Sequence, residues 1–163
     1  MAIIIEPSRI ATDGEDLEGE DSADALKLPA DEEAQSTGPI RYELNVQLAG
    51  RELIVTGAVA ARIRFACSRC AAPFEVDVRD ASFFHEQEVE DLHSPIDLTE
   101  EVRETIILAF PTYPVCQSAC RGLCPRCGAN RNREQCGCTE TTEPMGSVFD
   151  SLDVRERTEH GRT

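Results

Sequence analysis

A chain of 163 residues has room for one domain of ordinary size, or for one domain with tails. Acids outnumber bases 31 to 16, giving a formal net charge of −15, and the only aromatic rings are six Phe and two Tyr. No apolar run approaches the ~20 residues of a bilayer-spanning helix, a protein that coats duplex nucleic acid indiscriminately should be basic, and a large hydrolase with a wide apolar pocket does not fit this length.

The charge is uneven. Residues 1–39 hold 11 acids against Arg9 and Lys27, a net of −9; residues 40–163 hold 20 acids against 14 arginines, a net of −6. Ile3-Ile4-Ile5, ended by Pro7, predicts a short edge strand. No basic segment followed by an apolar one opens the sequence, so no secretory signal is expected. Residues 11–38 carry almost no large apolar groups and cannot offset their ordering entropy by burial. They are expected to form a flexible acidic arm.

Next, Tyr42, Leu44, Val46 and Leu48 alternate with Arg41, Glu43, Asn45 and Gln47, the period of a half-buried strand over residues 40–49. Ala49-Gly50-Arg51 predicts a hairpin turn, and a second strand follows from Leu53, with Gly57 at a bulge. From Val59, the residues Val59, Ala61, Ile63 and Phe65 share one face, with Arg62 and Arg64 on the other, up to Cys67. Pro73 restarts an extended run, and Phe83 and Phe84 are expected to cap the same sheet. The pattern predicts an antiparallel meander with one buried face.

Residues 86–95 form an acidic connection. Asp97, with Glu100 three positions on, then opens a helix in a partial capping box. Leu98, Val102, Thr105, Ile106 and Ala109 line one stripe, which Ile107, Leu108 and Phe110 widen. Pro111 and Pro114 stop the helix, and Glu101 and Glu104 fall on its solvated face.

After Pro114 the chain changes character. Residues 115–138 carry six cysteines, three glycines and four arginines, with Val115 and Leu123 as the only large apolar residues. Such a segment has no core of its own. All eight cysteines fall in close pairs: Cys67/Cys70, Cys116/Cys120, Cys124/Cys127 and Cys136/Cys138. In a reducing cytosol these spacings point to zinc ligands rather than disulfides. Eight thiolates suffice for two closed tetrahedral sites, so one or two structural Zn2+ ions are expected. Cys124-Pro125-Arg126-Cys127-Gly128 is a C-x2-C knuckle, and Gly137 lets Cys136 and Cys138 turn back, which favours a local site of Cys124, Cys127, Cys136 and Cys138. Cys67, Cys70, Cys116 and Cys120 would then form a second site joining the sheet to the segment after the helix. The alternative joins Cys116 and Cys120 to Cys124 and Cys127.

No H-E-x-x-H or H-x-E motif accompanies the cysteines, so no catalytic residue is assigned and no enzyme is expected. His85, His93 and His160 are expected at the surface. Fifteen of the 16 bases are Arg. Arg62, Arg64, Arg69, Arg121, Arg126, Arg131 and Arg133 lie in or beside the cysteine pairs, where guanidinium groups can balance thiolate charge or contact RNA phosphates and unpaired bases.

The chain resembles the YceD family. The likeness rests on Cys67-Ser68-Arg69-Cys70 after an alternating strand, Ile96-Asp97-Leu98 opening a helix, Pro111, Pro114 and Cys116, the run Cys120-Arg121-Gly122-Leu123-Cys124-Pro125-Arg126-Cys127-Gly128, Asn130, and the closing Cys136-Gly137-Cys138. It covers roughly residues 40–155 and leaves out the acidic arm. Members are described as large ribosomal RNA subunit accumulation proteins. The resemblance implies a non-enzymatic, cytoplasmic factor of bacterial ribosome biogenesis, acting in assembly or precursor processing. Expected partners are large-subunit rRNA or its precursor, or ribosome-assembly proteins, with no membrane and no small-molecule substrate. A protein-interaction adaptor docking a nuclease or ribosomal protein is the alternative. The acidic arm would be a spacer, an RNA mimic or a contact for a basic ribosomal protein.

The expected fold is therefore α+β, an antiparallel β-meander packed by one helix, with a Cys-rich, zinc-stapled C-terminal segment. The expected division is residues 1–39 (N-terminal strand and acidic arm), 40–110 (sheet plus helix), 111–138 (Cys-rich segment) and 139–163 (polar tail, with Val148, Phe149 and Leu152 on one short helical turn).

Overall fold

The structure, a computed structural model, describes residues 3–28 and 34–138. The polar tail and its expected helical turn lie outside the described residues. Among the described residues, six strands and one α-helix follow in order: β1 (Ile4–Ile5), β2 (Glu15–Asp21), β3 (Ala34–Ala49), β4 (Glu52–Ala66), β5 (Pro73–Glu88), β6 (Ile96–Asp97) and α1 (Thr99–Leu108). Strands β2-β3-β4-β5 make one antiparallel meander in chain order, and β1 pairs antiparallel with β6. The fold is α+β, with the meander packed by α1.

Alternation fixes the buried face. Ile40, Leu44 and Val46 of β3 face the same way as Leu53, Val55, Val59, Ala61, Ile63 and Phe65 of β4, and all are buried. Val102 and Ile106, four apart and so on one face of α1, are fully buried against them, as is Leu98. Each such side chain contributes about 1.5–3 kcal/mol through burial.

The bulge expected at Gly57 belongs to the facing strand. Gly57 pairs with Phe83 and Val59 with Asp80, so the surplus residue sits in β5. Ser82 donates both its backbone N–H and its hydroxyl to the Asp80 carboxylate there, at 2.6 and 2.7 Å. The extra residue reverses the parity of β5. Both Phe83 and Phe84 belong to this sheet, but only Phe83 turns inward (3 % exposed), while Phe84 turns outward (62 %).

Two further expectations change. The acidic stretch is not a flexible arm throughout: residues 15–21 form β2, in unbroken register with β3. β3 itself begins at Ala34 and crosses a register shift between Ser36 and Ile40. The backbone ladder, not apolar burial, holds β2, since Leu17 is its only large apolar residue. On α1, Leu108 is 85 % exposed, so the apolar stripe is narrower than expected.

The helix begins at Thr99, not at Asp97, whose backbone belongs to β6. Leu98 is the N-cap residue, and Asp97 just before it accepts the backbone N–H and the hydroxyl of Thr99, the first helical residue. Those two donors, the hydroxyl foremost, hold the Asp97 carboxyl below the usual carboxylate range. Its stabilisation is therefore present above the ordinary carboxylate pKa and lost as pH falls through the depressed one. Asp97→Ala is expected to lower stability by about 1 kcal/mol at neutral pH, with the deficit shrinking in acid. Urea titrations at several pH values check both the size and the trend.

Candidate metal centres and arginine surface

After α1 the chain turns at Pro111 and returns to the β4–β5 connection. The carbonyl of Pro114 accepts the N–H of Ser68 at 2.8 Å, which brings Cys116 beside Cys67. The N–H of Cys116 points at the Cys67 sulfur at 3.4 Å. The result is a cluster of Cys67, Cys70, Cys116 and Cys120, all four sulfurs within 4.8 Å of one another. Cys124, Cys127, Cys136 and Cys138 form a second cluster within the same limit. The eight thiols thus gather in the two groups favoured by spacing, and Cys116 and Cys120 join the sheet's knuckle rather than Cys124 and Cys127.

The geometry suits a tetrahedral ion. Metal–sulfur bonds of ~2.3 Å in a tetrahedron put sulfurs ~3.8 Å apart. Cys67 and Cys120 sulfurs stand 3.8 Å apart, and those of Cys70 and Cys116 3.9 Å. Both clusters are positioned to hold a metal ion.

Backbone donors decide which thiols ionise first. At Cys67 burial opposes ionisation, but N–H groups of Cys116, Arg69 and Cys70 outweigh it and bring the pKa down to about 6. At Cys124 the N–H groups of Cys127 and Arg126 do the same, again to about 6. Each C-x2-C turn therefore aims the amides two and three residues on at its first sulfur. Burial pushes the Cys116 thiol up to about 12, helped by hydrogen bonding with the thiols of Cys120, Cys67 and Cys70. The Cys127 and Cys124 sulfurs, with burial, push Cys138 up to about 11. Four thiolates packed this closely repel one another, and a divalent cation removes that repulsion.

The clusters differ in setting. Cys67, Cys70 and Cys120 are buried beside Ala72, Phe74 and Val115, whereas Cys127 of the second cluster is exposed. They are also joined. The N–H of Leu123 donates to the Arg69 carbonyl at 2.9 Å, and Gly122, at φ +73°, passes so close that a Cβ would stand 3.0 Å from that oxygen. Asn132, from the loop of the second cluster, donates its amide to the Cys120 sulfur of the first at 3.3 Å. Its amide oxygen accepts the N–H of Arg121 at 2.8 Å. Burial raises the Cys120 pKa, but the Gly122 N–H and the Asn132 amide lower it further, for a net fall. Donors of this kind orient a metal's ligands and tune their basicity. Sequence reading missed Asn132 as a sulfur donor, because a single polar residue in a loop leaves no periodic signal.

The seven candidate arginines separate into three settings. Arg62 grips Asp77 with two bonds, at 3.0 and 2.9 Å, and Arg64 pairs with Glu75 at 3.0 Å; both stand on the outer face of the sheet. Arg69, though exposed, lies along the first cluster and donates to the carbonyls of Ser118 and Cys120, both at 3.2 Å. Arg121, Arg126, Arg131 and Arg133 are exposed on the loops of the second cluster. No helix among the described residues is long and apolar enough to cross a membrane.

No solved structure matches the chain. A chloroplastic protein of Arabidopsis thaliana, named Large ribosomal RNA subunit accumulation protein YCED homolog 1, is 25% identical over 83% of this chain and 56% of its own length. Uncharacterized proteins of Mycobacterium tuberculosis and Mycobacterium bovis are 33% identical over 53% of this chain and 48% of theirs. The chain spans about half the length of these relatives. The family model described as Large ribosomal RNA subunit accumulation protein YceD matches residues 55–153, a stretch that takes in most of β4, all of β5 and α1, and both thiol clusters, and this chain belongs to the YceD family.

Proposed function

We propose that this protein is a non-enzymatic factor supporting the accumulation of large-subunit ribosomal RNA, in which two zinc ions brace an arginine-bearing surface against a β-sheet. The observation carrying this reading is the coupled pair of thiol clusters, with Arg121, Arg126, Arg131 and Arg133 exposed on the outer one. Cys67, Cys70, Cys116 and Cys120 would hold one ion, and Cys124, Cys127, Cys136 and Cys138 the other. Zinc suits four soft thiolates in a tetrahedron. Its charge balances part of the thiolate charge and locks loops that have no apolar core. A set of four thiolates fills every position of a tetrahedral ion and leaves none for a reacting water, which supports a structural role.

On this braced platform the four exposed arginines contact RNA phosphates and unpaired bases. The sheet arginines Arg62 and Arg64 stand apart from this platform, paired with Asp77 and Glu75 on the outer face of the sheet. The protein works where ribosomes are built and thiols stay reduced, which in a bacterium is the cytoplasm.

Replacing Arg121, Arg126, Arg131 and Arg133 by Gln tests the surface. Large-subunit RNA is expected to fall relative to small-subunit RNA in a strain that depends on this variant, while the purified variant keeps its metal. The salt dependence of RNA binding should drop by about one unit of slope for each phosphate contact removed. An unchanged RNA ratio would remove the proposal. A second reading, docking of an assembly protein instead of RNA, draws on the neutralised sheet arginines and the net charge of −15. Crosslinking in cells separates the two: RNA adducts on the arginine loops support the first, and protein adducts alone the second.

A further inference from the structure

Strand β2 is the outer edge of the four-stranded sheet. Among the described residues it pairs with β3 alone, so its second row of backbone N–H and C=O groups faces outward. Edges of this kind are blunted by proline, bulges or charged side chains. The run Glu15-Asp16-Leu17-Glu18-Gly19-Glu20-Asp21 has no proline or bulge and relies on its acids, which repel acidic strands but not a basic one.

The opposite edge is built differently. β5 opens with Pro73 and is bent by its bulge, and its acids Glu75, Asp77 and Glu88 pair with Arg64, Arg62 and Arg51. On β2, by contrast, Glu15, Asp16, Glu18 and Glu20 form no ion pair among the described residues. Asp16 accepts only the neutral amide of Asn45, at 2.7 Å, and Glu18 lies directly opposite Glu43. Glu20 lies opposite Arg41, which is itself paired with Asp77 at 3.5 Å. The strand thus joins an unused hydrogen-bonding ladder to an excess of negative charge.

That combination selects its occupant. A second copy would bring its own acidic β2 and be repelled, and so would a phosphate backbone. A basic extended polypeptide satisfies both the ladder and the charge. We propose that β2 is a strand-addition site for an arginine- or lysine-rich segment of a partner protein. Asp16, Glu18 and Glu20 recur every second residue on one face, so the segment carries its basic residues at alternate positions. This surface is separate from the arginine loops and stands whether or not those bind RNA.

The test uses the full chain and two peptides of equal composition, one alternating arginine with valine, the other with the arginines in one block. The alternating peptide is expected to bind more tightly and to slow hydrogen exchange of β2 amides, leaving β5 amides unchanged. Replacing Asp16 by Asn and Glu18 and Glu20 by Gln should weaken its binding about tenfold or more. Glu18→Lys, which reverses only the central charge, should act in the same direction and covers the case in which the triple change disturbs folding. Equal binding of the block peptide, protection along β5, or self-association through β2 would each overturn the proposal.

Discussion

Cys70→Ser is expected to release one metal ion and to loosen residues 111–138 as a unit, while Cys127→Ser releases one ion and disturbs the loop around it and the Asn132 bonds that loop makes, leaving the first quartet closed. The difference follows from where the two clusters sit. The first joins the turn between β4 and β5 to the chain after α1, with Cys67, Cys70 and Cys120 buried. Arg69, the Pro114 carbonyl and Asn132 all bond within this joint. Structural zinc in small peptides contributes ~10–16 kcal/mol at neutral pH, and residues 111–138 have no apolar core to replace it. The sheet and α1 keep their own buried cluster from Ile3 to Ile106 and should remain folded. Native mass spectrometry reads the ion count, and hydrogen exchange reads which amides open. Equal loss of protection in the two variants would contradict the assignment of the first cluster as the joint.

Acid should act in the same direction. Cys67 and Cys124 have their pKa values brought down from 9.0 to about 6, so their ionised sulfurs add stability that is complete above the ordinary thiol range. That contribution fades as pH falls from 9 toward 6 and is gone below it, and protons compete with metal for the same sulfurs. Metal release on acidification should therefore precede melting of the sheet.

The second large effect is expected at Gly57. A Cβ there would stand 2.1 Å from the Glu43 carbonyl oxygen and 2.8 Å from the Leu44 Cα, and φ is +155°. Both obstacles are backbone of the neighbouring strand, so no rotamer change relieves them. Gly57→Ala must part β3 from β4 at the centre of the sheet and is expected to cost about 4 kcal/mol, at the upper end for a single substitution. Gly19→Ala is a useful contrast. Its Cβ meets the Tyr42 hydroxyl at 2.4 Å, but that is the tip of a half-buried side chain, which can swing aside. Urea midpoints of the two variants at unchanged slope measure the difference. A shift at Gly57 no larger than at Gly19 would show that β3 and β4 do not approach as closely as described.

Side-chain periodicity made β3 and β4 legible because their stability comes from an alternating apolar face. The cysteine groups were legible because sulfur spacing is itself the signal. β2 was not, since five of its seven residues are acidic and only Leu17 and Gly19 hint at an inner face. Its place depends on β3: Gly19 lies across from Tyr42 and leaves room for the ring. The bulge was assigned to Gly57 because glycine marks irregular strands, yet the surplus residue lies across from it in β5, where Asp80 and Ser82 give only a short-range polar cue. Leu108 looked like part of the apolar stripe, but the helix ends at that residue and turns it to solvent.

The unequal reach of the two clusters carries a consequence for how the protein assembles. The second quartet closes a ring from Cys124 to Cys138, 14 positions, and can gather locally as soon as that stretch exists. The first must bring together Cys67 and Cys120, 53 positions apart. The entropy of chain closure alone separates the two by only about 1 kcal/mol. The larger difference is topological: β5, β6 and α1 all lie between Cys70 and Cys116, so the native long ring encloses part of the sheet and its capping helix. A metal held by the inner quartet would then act as a latch that closes on a finished sheet.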